Sequence, residues 1–116
     1  MSATPSPQEH LPLRPVDLQI LLVLADSNLH GYGLMKAVQE ESSGQVSLEV
    51  GSLYRVINRM LESGLIERTD APPNTDDARR KHDYALTDFG REVVRAETER
   101  LAQVLATAQA RDLVRR

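Results

Sequence analysis

GSLYRVINRMLESGLIER, residues 51–68, decides the fold. On a helix at about 100° per residue, Leu53, Val56, Ile57, Met60 and Leu61 fall within an arc of roughly 140°, and Ser52, Tyr54, Arg55, Asn58, Arg59 and Glu62 fill the opposite side. One face packs against a core. The other is free to meet water, another protein or DNA, and the stretch by itself does not choose among them. Gly64 stands at a good C-terminal cap position. LIER then reads as a short strand.

Downstream, HDYALT alternates as a strand does, with Tyr84 and Leu86 matched in parity. TDAPPNTDDARRK lies between the two runs and is too polar and proline-rich for an element of its own, so the expectation is a β-hairpin with a long projecting loop. Upstream, Pro15 suits the first position of a helix, and Leu18, Leu21, Leu22 and Ala25 recur after it as far as about Asp26. Ser27-Asn28 is turn chemistry. A second helix runs from about Tyr32 to Glu41, with Leu34, Val38 and Tyr32 inward, and Gly31 and Gly33 point to close packing at its entry. Three helices followed by a hairpin make a winged helix-turn-helix, mainly α with a small β-hairpin.

Thr87 caps a fourth helix, and Asp88 in its first turn suits the positive end of the helix dipole. Val94, Leu101, Leu105 and Ala108 form a stripe along it. A body this small cannot cover about 25 residues of helix, and a second copy of the same helix is the cheapest cover, so a homodimer is expected. The expected organisation is a disordered tail over 1–14, where prolines stand among small polar residues, a winged helix-turn-helix over 15–87, and a dimerisation helix over 88–116.

Composition narrows the function. The chain has 116 residues, 41% of them hydrophobic and 3% aromatic, with neither Trp nor Cys. That is room for one modest core rather than a core with a deep enclosed active site, and it leaves no thiol chemistry. The longest apolar run, Ile20–Ala25, is too short to span a bilayer, and MSATPSPQEH lacks the pattern of a secretion signal, so a cytoplasmic protein is expected. The net charge of −3 runs against nucleic acid, but the first 50 residues hold six acidic and two basic side chains, so basic clusters survive further on.

Those clusters are two. On the third helix Ser52, Tyr54, Arg55, Asn58 and Arg59 occupy successive turns and have the chemistry to reach base edges or phosphates. Arg79, Arg80 and Lys81 stand in the hairpin loop, next to Asp76 and Asp77, and suit phosphates or a minor groove. Catalysis finds no support, because none of His10, His30 and His82 has a nucleophile at a useful spacing. Asp76, Asp77, His82 and Asp83 show no recognisable metal-ligand spacing, and no cofactor is expected. An alternative reading is a winged-helix interaction module with little DNA affinity. It would need an exposed apolar patch where residues 52–59 offer none outside the packing arc.

HGYGLMKAVQEESSG, GSLYRVINRMLESGLIE and DDARRKHDYALTDFGREVVRAETERLAQVL resemble, in order and spacing over roughly residues 12–113, the PadR family of transcriptional regulators, in particular its short members with one C-terminal helix. The resemblance implies a dimer formed through that helix, which represses a promoter and releases DNA when a small-molecule effector binds. It places Ser52, Tyr54, Arg55 and Arg59 on the recognition helix, Tyr32 and Lys36 near the phosphates, and Arg79, Arg80 and Lys81 in the wing. Ser52 stands where Thr is commoner, and Asp83 and Ala85 replace a usual aromatic and a usual Arg, which implies weaker contact from the strand after the wing. Some members hold flat aromatic drugs between aromatic side chains at the dimer centre. With Phe89, three tyrosines and no Trp, that pocket is not carried over.

Overall fold

A computed structural model describes residues 6–70 and 82–115, apart from the side chains of Asp70 and His82. Its elements are a 3-10 turn (Pro7–His10), α1 (Pro15–Asp26), α2 (Gly31–Glu41), α3 (Val50–Glu62), β1 (Ile66–Asp70), β2 (His82–Leu86) and α4 (Asp88–Ala110). This is a winged helix-turn-helix with a C-terminal helix.

The most apolar helix, α1, is the central one. It buries Ile20, Leu21, Val23 and Leu24 and packs against α2, α4 and β2. The arc expected on α3 is the one it buries, with Leu53, Val56, Ile57 and Met60 all in the core. After α3 the chain turns at Gly64 (φ 75°), where the Leu65 N–H returns to the Met60 carbonyl. α2 contributes Leu34 and Val38, but Tyr32 points outward and is 67% exposed, against the inward placement expected from periodicity. The first turn of α2 buries Gly31 and Leu34, and Tyr32 falls on its opposite side.

β1 and β2 pair antiparallel with Ile66 opposite Leu86 and Arg68 opposite Tyr84. The expected alternation holds in neither strand: Leu65 and Ile66 are buried side by side ahead of exposed Glu67 and Arg68, and in β2 Asp83, Tyr84 and Ala85 are all buried. For β2 the reason lies in the turn between α1 and α2. Leu29 exchanges both backbone hydrogen bonds with Tyr84, so β2 is flanked on both edges.

Thr87 closes the hairpin and opens α4 together. Its hydroxyl donates to the Gly64 and Leu65 carbonyls, and accepts from the Gly90 N–H at 2.9 Å. α4 buries Gly90, Val93, Val94 and Glu97 against its own body, and past Thr98 it leaves that body, with Val104 and Leu105 about half exposed. Val94, read as part of an intermolecular stripe, belongs to the core because it precedes the point of departure.

Residues 6–14, read as part of a disordered tail, are docked. Ser6 and Glu9 form a capping box around the 3-10 turn, the His10 ring meets Phe89 edge to face, and the Leu13 N–H donates to the Glu97 carboxylate at 2.6 Å.

Candidate nucleic-acid interface

The second and third helices carry most of the exposed side chains singled out from sequence. α3 buries four apolar side chains and packs Leu61 against them, and most of its other positions stand outward. Arg55 and Asn58 are exposed, Tyr54 is 43% exposed, and Ser52 is half-buried on the flank. Tyr32 and Lys36 of α2 are exposed as well. These are six of the residues singled out from sequence.

Tyr54 is held in place from α2. A Cβ built on Gly31 would lie 2.5 Å from the Tyr54 hydroxyl oxygen, so the phenol lies over the bare first turn of α2. Gly33 is less crowded, since a Cβ there would meet the His30 ring at 3.1 Å. The close entry expected at this pair of glycines is real, and Gly31 carries most of it.

Arg59, expected to contact DNA, is paired within the domain. Its Nη2 donates to both carboxylate oxygens of Asp17, at 2.7 and 2.8 Å, which ties the last turn of α3 to the first turn of α1. Asp17 is 9% exposed, so the arginine neutralises a carboxylate that has lost most of its water. The Asp17 carboxylate draws the guanidinium toward α1 instead of outward. Beside this pair is a crevice of about 210 Å³, lined by His10, Leu13, Arg14 and Met60 among others.

Charge along α3 is mixed. Glu49 and Glu62 stand exposed at its two ends, with Arg55 between them. Asp83 and Ala85, which bear on the strand after the wing, are buried and so are not part of the outer face. Arg79, Arg80 and Lys81, with Asp76 and Asp77, lie outside the described residues. Among the described residues, no group of three or more His, Asp or Glu is placed to hold a metal, and no helix is long and apolar enough to cross a membrane.

Two further groups escape a reading of the sequence. Val50 opens α3 and is 56% exposed, just outside the stretch whose arc defines the helix. Glu97 is 1% exposed and accepts hydrogen bonds from Leu13 and Arg100. The Arg100 guanidinium holds its carboxyl below the usual glutamate range against the opposing effect of burial, and the Leu13 N–H assists. In the hairpin, burial pushes the Tyr84 hydroxyl pKa up, partly offset by a hydrogen bond with Arg68.

Solved structures with the same fold include a PadR family regulator from Clostridium difficile, 20% identical, with a TM-score of 0.68 over 82% of this chain and 95% of that one. A PadR-like regulator from Bacillus cereus is 22% identical, with a TM-score of 0.71 over 86% and 93%. Bacillus subtilis PadR in complex with operator DNA is 24% identical, with a TM-score of 0.60 over 72% of this chain and 46% of that longer one. No curated protein matches this chain. The model of the transcriptional regulator PadR-like family matches residues 20–96, from the middle of α1 through the hairpin to the buried half of α4, and the chain belongs to that family.

Proposed function

We propose that this chain is a cytoplasmic, dimeric, sequence-specific repressor. In this reading α3 enters the major groove of an operator, α2 rests near the phosphates, the wing cations reach the adjoining backbone, and the far half of α4 pairs with its copy. Repression and release by a small-molecule effector are carried over from the family.

The observation that carries the reading is the outer face of α2 and α3. Tyr32, Lys36, Tyr54, Arg55 and Asn58 are exposed together on two helices whose other sides build the core. Their base-reading and phosphate-binding chemistry supports the reading, since a helix-turn-helix meets a duplex through these two helices. The operator complex of the Bacillus subtilis relative supports the same use of the fold.

The test is binding of the full chain to the promoter fragment of its own gene across a salt series. Affinity should fall linearly with salt on logarithmic axes, and Lys36→Ala should flatten the slope by about one unit. Replacing Arg79, Arg80 and Lys81 together with Ala should flatten it by roughly two to three. Asn58→Ala should cost about 1–3 kcal/mol on the preferred site and relax preference at one position per half-site. A chain that binds no duplex even at low salt would end this reading.

A further inference from the structure

Among the described residues, the exposed large hydrophobics fall into two groups. Val104, Leu105, Leu113 and Val114 lie at the far end of the chain, while Tyr32, Val50 and Tyr54 all lie on the helix-turn-helix. Each tyrosine has a hydroxyl that suits a wet surface. Val50 has nothing but methyl groups, yet it is 56% exposed.

Neither packing nor helix formation accounts for Val50. Its side chain stays largely in water, and a β-branched residue is a poor choice to begin a helix that has no side-chain cap at Glu49. A Cβ built on the neighbouring Gly51 would meet nothing within 4 Å, so the leading turn of α3 can come close to a rigid surface.

We infer that Val50 contacts the C5-methyl group of a thymine, at one position in each half-site of the operator. The inference rests on the DNA-binding reading above. The first residues of a recognition helix are those that meet base edges. On the major-groove edges the thymine methyl is the one large apolar group, the cytosine C5–H is a much smaller one, and the remaining groups are hydrogen-bond donors or acceptors. An isopropyl group against any donor or acceptor would take a polar atom out of water with no partner, whereas against the methyl it buries apolar surface on both sides. Val50 is therefore a specificity residue that discriminates thymine by shape and hydrophobicity, beside the hydrogen-bonding side chains Arg55 and Asn58.

The experiment uses the full chain. Selection from a random duplex library supplies the operator, and each thymine is then replaced singly by uracil, which removes the methyl and keeps the pairing edges. One replacement per half-site should weaken binding about three- to fivefold, the value of one buried methyl. The same replacement should cost Val50→Ala nothing further, and Val50→Ile should keep the sensitivity. The uracil series on the unmodified protein tests the inference even where a variant folds poorly. If no thymine is sensitive to loss of its methyl, or if Val50→Ala suffers the same loss as the unmodified chain, Val50 does not read thymine. A chain that selects no sequence fails earlier, at the DNA-binding reading, before any uracil is introduced.

Discussion

The Tyr54 hydroxyl lies 2.5 Å from the place that a Cβ on Gly31 would take, so the first turn of α2 and the outer face of α3 share one volume. Only glycine leaves room for the phenol in its present position. Gly31→Ala therefore displaces Tyr54, while the gain in helix propensity of up to about 1 kcal/mol offsets part of the cost. We expect unfolding free energy to change by less than about 1 kcal/mol in urea titrations, with a loss in operator affinity of about 1 kcal/mol, the worth of a typical contact. In a Tyr54→Phe background, where the crowding oxygen is gone, Gly31→Ala should cost less affinity. Additive losses in that cycle would mean that Gly31 and Tyr54 do not share this volume.

The pair of Arg59 with Asp17 ties α3 to α1, and we expect it to serve stability. Arg59→Ala should destabilise the fold by roughly 2–3 kcal/mol, because it leaves the nearly buried Asp17 carboxylate unpaired, whereas Asp17→Ala should cost about 1 kcal/mol and the double variant no more than Arg59→Ala. The selected operator motif should be unchanged in all three. If Arg59→Ala leaves stability intact and relaxes one base position, its guanidinium reads DNA and the pair with Asp17 is incidental.

What was legible in the sequence was whatever has a local period or a local cap. α3 is read correctly from the contrast between its faces, and Thr87 and Gly64 mark ends that the structure keeps. What stayed hidden depends on partners far along the chain. Asp17 and Arg59 are 42 residues apart, and Leu13 and Glu97 are 84 apart. Neither contact leaves a pattern in its own neighbourhood, so residues 6–14 read as a tail from their prolines and small polar residues alone. β2 breaks its expected alternation for the same reason, because its second edge is covered by Leu29 from the turn after α1.

Glu97 should make the fold acid-sensitive. Its carboxyl is held below the ordinary glutamate value of about 4.3 by Arg100 and Leu13, so the charged form is favoured in the folded state. The stability this contributes is fully present above that ordinary value and is lost as pH falls through the depressed one. Denaturation midpoints of the unmodified chain should therefore drop more steeply below about pH 5 than those of Glu97→Gln, the two series converging in acid. Parallel series would show that Glu97 adds no proton-linked stability.

The last prediction concerns where α4 changes partner. Val94 is 9% exposed and belongs to the domain core, whereas Leu105, eleven residues further along the same stripe, is 46% exposed. The helical period puts both on one face, but the body ends near Glu97, so the stripe serves two purposes along its length. Val94→Ala should cost about 1–2 kcal/mol of stability, as large-to-small changes in a core do, and leave association unchanged. Leu105→Arg should do the reverse: in a proposed two-fold pairing of these helices it brings a cation into an apolar seam without a counter-charge. Sedimentation at micromolar concentration should then find monomers with undiminished helix content. Those monomers should lose most specific affinity, because two recognition helices on one side of a duplex call for a pseudo-palindromic operator with half-sites about 10–10.5 bp apart, or a multiple of that. An unmodified chain that sediments as a monomer while bound tightly to its operator would leave the far half of α4 without this role.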